Sequence, residues 1–375
     1  MSNNDEVGGQ RVVVREFGET PLEAIEQQLE LVEQARPDPG ELGPRDVIVE
    51  VRSAAVGWVD LLMTSGQYQH MPAPPYTPGL EYAGVVAWVG AEVDDLAIGD
   101  PVIADGLRTG PRSLGAYQQW GGFASWAVAP AEALIPMPAG FDFDQGCNLL
   151  GNYETAYHCL IHRGRLQAGE AVLINGATGA TGFAAVELAK LVGATVIATG
   201  RSAQKLAEVA ALGADHVLAI ADEQGGVRRF RDEVKALTGG RGVSVVYDPV
   251  GGQVSLESLR CVEFGARFLI VGWASTPFVA RGKGQRGAPN ANVLPTNLIM
   301  MKGLDVLGCP AAISAHRDPS IRVTRLAQLL EWARDGKISP RVAARFPLEQ
   351  VREAMRAKWE SRFVGGVVVH PRAAK

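Results

Sequence analysis

The chain has 375 residues, 47% hydrophobic and 21% charged, with a formal net charge of −5. That length predicts about two domains; no apolar run approaches the roughly 20 residues of a membrane span, and the acidic balance argues against a nucleic-acid face. Cys147, Cys159, Cys261 and Cys309 stand far apart without a CxxC pair, which predicts reduced, mostly buried thiols and neither a disulfide framework nor a structural zinc lobe. The polar opening MSNNDEVGGQ lacks the apolar segment of a secretory signal, so the expected location is cytoplasmic.

From Arg11 to about Asp144, short strand-like runs alternate with Gly and Pro: VIVEV at 47, AGVVAWVG at 83, DPVIA at 100 and FASWAVAP at 123. This rhythm predicts a β-rich domain. Within it, LEAIEQQLELVEQ (22–34) reads as an exposed helix or a long irregular insertion. Beyond Gly151 strands and helices alternate: helix 155–163, strand 171–174, helix 183–192, strand 194–198, helix 202–212, strand 216–219, helix 227–237, strand 243–247, helix 253–260 and strand 266–271. Such βαβ repetition predicts a parallel sheet covered by helices. The stretch 275–297 reads as a long loop. A helix at 322–335 and the run GGVVVHP at 365 read as a return to the first domain, with the second inserted in it.

The stretch LINGATGATGFAAVELAK, starting at Leu173, places a buried strand, a GxxGxxG turn and a helix in succession. Gly176, Gly179 and Gly182 would supply the tight turn, the close approach and the helix–strand contact, with Ala180 and Thr181 as further cofactor-binding positions just ahead of the helix. Its first N–H groups and dipole then face an anion such as a pyrophosphate, which predicts dinucleotide binding; a glycine-rich turn that binds nothing is the alternative. The second strand ends on Thr199, Gly200, Arg201 and Ser202, with Lys205 one turn on. An NAD site would place a carboxylate here; a guanidinium in its place favours NADPH, against the alternative that Arg201 and Lys205 are solvated helix-start charges.

With these residues the sequence resembles the medium-chain dehydrogenase/reductase superfamily, in its zinc-independent quinone oxidoreductase and enoyl reductase branch. The carriers are PGLEYAGVVAWVG (78–90), GDPVIA (99–104), NYETAYHCL (152–160), the glycine turn, VSVVYDPVGG (243–252) and LPTNLIMMKGLDVLG (294–308). The resemblance implies an α/β chain, a Rossmann doubly wound parallel sheet (148–311) inserted in a GroES-like β-rich catalytic domain (1–147, completed by 312–375). It also implies a homodimer or homotetramer. Zinc alcohol dehydrogenases carry a Cys near 57 or 58 and Gly-His-Glu where this chain has Gly79, Leu80 and Glu81; Leu80, Gly57 and Trp58 offer no ligand, so no metal is expected. His158 and His162, four apart, read as ordinary helix residues.

The resemblance implies that Tyr68, eight residues after Asp60, donates to or orients substrate, with an aromatic packed in a cleft wall as the alternative. It implies that Thr155 lies beside the nicotinamide, where capping is the alternative, and that Gly251, Val271 and Gly272 border the nicotinamide and its ribose. Trp58, with Gly57, replaces the Asn–aromatic pair of many quinone oxidoreductases, so it floors a substrate pocket or is a core aromatic. None of the seven tyrosines has a lysine four residues later, which disfavours the short-chain reductases. The expected function is NADPH-dependent, zinc-free hydride transfer to a small-molecule quinone or α,β-unsaturated carbonyl, with no nucleic-acid or membrane partner. Two alternatives stand beside it: an enoyl-thioester reductase using Arg281, Lys283 and Arg286 for substrate phosphates, and a non-catalytic NADPH-binding protein.

Overall fold

The computed structural model describes residues 8–276 and 291–372, which cluster into two compact units. Arg281, Lys283 and Arg286 lie outside the described residues. Unit 1 begins with β1 (Gly9–Val14), α1 (Pro21–Gln27) and β2 (Leu29–Gln34). The Thr20 hydroxyl accepts the Glu23 N–H and Pro21 sits at the first helical position, which starts α1. The following residues pair antiparallel with β1, so the segment 22–34 is half helix and half strand. Its strand escaped prediction because β2 buries only its two ends and shows no two-residue alternation. Next come β3 (Asp46–Ala55), α2 (Trp58–Met63), β4 (Glu81–Val89), β5 (Pro101–Ala104), β6 (Trp126–Pro130), β7 (Leu134–Pro136) and α3 (Phe143–Cys147).

Unit 2 starts in α4 (Leu150–Tyr157), which continues as a π-helical turn, His158–Arg163. It alternates β8 (Ala171–Ile174), α5 (Ala180–Val192), β9 (Thr195–Gly200), α6 (Ala203–Ala211), β10 (His216–Ala219), α7 (Arg231–Leu237), β11 (Val243–Asp248), α8 (Gly252–Ser258), β12 (Val262–Ile270), α9 (Thr296–Lys302) and β13 (Asp305–Gly308), and ends in α10 (Ala311–Arg317) and α11 (Ile321–Arg334). All six strands are parallel, in the order β10-β9-β8-β11-β12-β13. Numbered from β8, this is 3-2-1-4-5-6, the doubly wound order whose direction reverses between β8 and β11; ligands of such sheets bind outside the carboxyl ends of the strands at that point.

Residues 312–341, assigned to the first domain on sequence, cluster with unit 2. The reason is a buried ion cluster: Arg322 and Arg325 of α11 both donate to the Glu154 carboxylate of α4, Arg325 Nε at 2.9 Å. Neither cation can leave without stranding buried charge. Unit 1 then resumes with β14 (Val342–Pro347), α12 (Val351–Trp359) and β15 (Gly366–His370). These complete a sheet of order β14-β15-β3-β4-β5-β7, with β6 pairing β3. Val49, Tyr82, Val102 and Phe123 meet Met355 of α12 and Val369 of β15 in its core. All four cysteines are free and buried.

Candidate active site

In unit 2 the glycine turn lies at the carboxyl end of β8. Gly179 is the N-cap of α5 without a side-chain cap, and the first intrahelical bond runs from Phe183 N–H to its carbonyl at 2.8 Å. The N–H groups of Ala180, Thr181 and Gly182 therefore have no intrahelical acceptor. A Cβ at Gly182 would stand 2.3 Å from the Gly176 carbonyl oxygen, so only glycine lets α5 start this close to the turn. The Thr181 hydroxyl donates to Asn152 Oδ1 at 3.0 Å, which leaves its backbone N–H as its donor for an anion. This arrangement fits a pyrophosphate.

At the end of β9, buried Gly200 is followed by exposed Arg201, which makes no hydrogen bond or ion pair among the described residues. Ser202 caps α6 by accepting the Lys205 N–H at 3.3 Å. Gly251, Val271 and Gly272 gather around Asp248: Gly251 N–H donates to its carboxylate at 3.2 Å, and Val271 and Gly272 N–H to its carbonyl at 3.0 and 3.3 Å. Their donors are thus engaged, and what they offer a ligand is close approach. Asn175, which sequence reasoning missed, ties this end of the sheet together. Its amide donates to Asp248 Oδ1 and Ser258 Oγ at 3.3 and 3.0 Å and accepts the Thr199 hydroxyl at 2.9 Å. A buried Asn immediately before the first glycine was the available signal.

Thr155 lies inside α4, half-buried, so it does not cap that helix. His158 and His162 stack at 5.3 Å, and burial, with the Arg325 charge, pushes His158 down to about 4 and keeps it neutral.

In unit 1 a second polar site forms around Asp60. Its Oδ2 accepts Gly57 N–H at 2.9 Å, and its Oδ1 accepts Gly79 and Leu80 N–H at 3.0 and 3.1 Å, clamping the start of α2 to the turn before β4. Burial still outweighs these three bonds and pushes the carboxyl up to about 7. Gly79 has φ +99°, and a Cβ there would stand 2.5 Å from Phe123 N, so the turn requires glycine. Glu81 pairs with Arg112 at 3.3 Å.

Trp58 stacks on Trp359 of α12, centroids 5.2 Å apart and rings parallel within 1°. Tyr68, half-buried beyond α2, has no hydrogen bond among the described residues; the adjacent Gln67 buries its amide, also without a partner. In unit 1 two groups escaped sequence reasoning: Gln67 and, on α12, Lys358. Lys358 follows Val351, Ala354 and Met355 at spacings of seven, four and three, a cation on the apolar stripe of an amphipathic helix, and that pattern was the available signal.

Two family models match the chain: an alcohol dehydrogenase GroES-like domain over residues 43–139 and a zinc-binding dehydrogenase over 180–317. The quinone oxidoreductase-like protein 2 homolog of Nematostella vectensis is 33% identical over 331 residues, covering 88% of this chain and 82% of its own. Among solved structures, a mycobacterial protein complexed with NADPH is 25% identical with a TM-score of 0.77, over 97% of this chain and 100% of that one. An NAD-dependent alcohol dehydrogenase is 27% identical with a TM-score of 0.76, over 96% and 99%. Zinc, which one family description names, does not fit the residues here: Leu80 is buried and apolar, Gly57 and Trp58 carry no ligand atom suited to it, and no group of three or more His, Cys, Asp or Glu among the described residues is placed to hold a metal. No helix among the described residues is long and apolar enough to cross a membrane. A glycine-turned Rossmann sheet, a GroES-like unit and a relative matched along most of its length converge: the chain belongs to the medium-chain dehydrogenase/reductase family, in its quinone oxidoreductase-like branch, and is an oxidoreductase whose fold binds a nicotinamide cofactor.

Proposed function

We propose that the protein is an NADPH-dependent, zinc-independent reductase of a quinone or an α,β-unsaturated carbonyl compound. The observation that carries the cofactor choice is Arg201: an exposed guanidinium without a partner among the described residues, at the strand end where an NAD site needs a carboxylate. Bound NADPH supplies a hydride. Ala180, Thr181 and Gly182 N–H hold its pyrophosphate, and Arg201 with Lys205 holds its 2′-phosphate. In unit 1, Tyr68 and Gln67 present hydrogen-bonding groups to the substrate and Trp58 walls the pocket.

Replacing Arg201 with Ala tests this reading. The affinity for NADPH, measured by titration, should drop by about 1.5–3 kcal/mol, the worth of a charge-assisted hydrogen bond, with little change for NADH. Equal losses for both cofactors would remove the phosphate assignment. Loss of cofactor absorbance across simple quinones, cyclic enones and crotonyl-CoA assigns the substrate class, and no oxidation of bound NADPH by any of them would favour a binding protein. We also propose self-association through unit 2. Among the described residues edge strand β13 has no further strand beside it, and Phe264, Met300 and Met301 are exposed at 82%, 73% and 67% on the neighbouring β12 and α9.

A further inference from the structure

Lys358 is a half-buried ammonium that the fold has placed without a hydrogen bond or ion pair among the described residues. Its helix packs Val351, Ala354 and Met355 into the unit 1 core, and the next residue, Trp359, lies flat on Trp58. Lys358 therefore belongs to the same corner as α2 and the 79–81 turn, and two carboxylates, Asp60 and Glu81, reach it with their fields. Both are already engaged. Three backbone N–H groups take up the Asp60 oxygens, and Arg112 pairs with Glu81. Two other cations of α12 are engaged elsewhere, Arg356 with Glu26 of α1 and Arg352 with the Leu29 carbonyl of β2. A lysine ammonium carries three donors. Glu81, and Asp60 once it ionises above about pH 7, hold a cation in this corner and leave its donors for an incoming oxygen.

We propose that Lys358 binds the carbonyl oxygen of the substrate and stabilises the negative charge that develops on it, the task a zinc ion performs where a ligand set exists and for which Leu80, Gly57 and Trp58 provide none. The inference rests on the reductase reading above. Its physical basis is electrostatic preorganisation: a fixed donor aimed at developing charge acts most strongly where water is scarce. Burial pushes the ammonium down to about 8 while Asp60 and Glu81 oppose the loss of its proton. The charged, working form is therefore present below that pH and lost above it.

Two independent measurements decide the matter. The first is kcat/KM for 2-cyclohexen-1-one at saturating NADPH across pH 6–10. The wild type should fall off above about pH 8; Lys358→Met should lose about 10²-fold, as when one oxyanion donor is removed; Lys358→Arg, charged throughout, should keep activity and lose the alkaline limb. An unchanged limb in Lys358→Arg, or full activity in Lys358→Met, overturns the proposal. The second needs no turnover: calorimetric binding of 4-hydroxycoumarin, an enolate at neutral pH, to the protein loaded with NADP⁺. Lys358→Met should weaken it at least about tenfold while Lys358→Arg retains it, and equal affinity in all three, or no binding to the wild type, overturns the proposal. If no enone, quinone or thioester is reduced but the enolate binds through Lys358, the reductase reading fails and the oxyanion site stands. Lys358→Met removes a desolvated charge, and a melting curve at least as high as that of the wild type certifies its fold.

Discussion

The two candidate sites are built by different means. In unit 2 the candidate anion cradle is backbone: three N–H groups at the start of α5, with Gly182 allowing the approach. In unit 1 the polar corner combines side chains from positions 58–60, 81 and 358–359 with the backbone turn at 79–80, whose N–H groups the Asp60 carboxylate accepts. A backbone site needs one contiguous stretch with the right turn. A side-chain site needs a finished sheet and a helix returned from the far end of the chain. The first tolerates most side-chain changes and fails on an added methyl at one glycine; the second rests on a single glycine turn, at Gly79, and should otherwise respond gradually to changes in charge and hydroxyl groups.

Substitutions can break this contrast or sharpen it. Gly79→Ala should have the largest effect, about 2–5 kcal/mol in unfolding free energy, because it combines left-handed strain with a Cβ pressed on the Phe123 and Gly122 backbone. A neutral result in chemical denaturation would mean that the side chains of the unit 1 corner hold together without the Gly79 turn, and would widen the contrast. Acid comes next. Burial raises Asp144, but hydrogen bonds from His370, Ser53 and Arg345 outweigh it and hold the carboxyl at about 2. A folded value below the unfolded one, about 3.9, stabilises the fold above pH 4. That stability, on the order of 2–3 kcal/mol, is lost as the pH falls toward 2. Since these partners lie on β3, β14 and β15, unfolding followed by hydrogen exchange should loosen the returning strands of unit 1 first, and Asp144→Asn should flatten the acid limb.

Gly182→Ala should cost about 1–3 kcal/mol and also weaken cofactor binding, since the start of α5 must shift from the turn. Wild-type affinity for NADPH in that variant would refute a backbone cradle. Tyr68→Phe should have the smallest effect, about a tenfold loss in turnover, or 1.4 kcal/mol, with cofactor affinity untouched. Unchanged turnover with the substrate it reduces best would leave Tyr68 a wall of the pocket.

How far each site could be read from sequence follows from the same difference. The GxxGxxG turn, the missing carboxylate at Arg201 and the βαβ alternation are local, so Gly176 to Lys205 could be placed by spacing alone. The six-residue α2 is too short to show a helical period, and β2 buries too little to show a strand period. Lys358 belongs to a helix that sequence reasoning passed over, and even with the helix recognised, a lysine on its apolar stripe does not announce what stands opposite.

By itself the sequence determined the doubly wound sheet, the glycine turn at the end of its first strand and the absence of zinc-ligand side chains at positions 57, 58 and 80, because each depends on residues within one turn or one strand of each other. Tertiary structure alone decided that residues 312–341 stay with unit 2, through the buried pairing of Glu154 with Arg322 and Arg325. It alone decided that α12 lays Trp359 on Trp58, so that the adjacent Lys358 falls within the fields of Asp60 and Glu81. Those arrangements join residues more than a hundred positions apart, where burial and electrostatics act only after the chain has closed on itself.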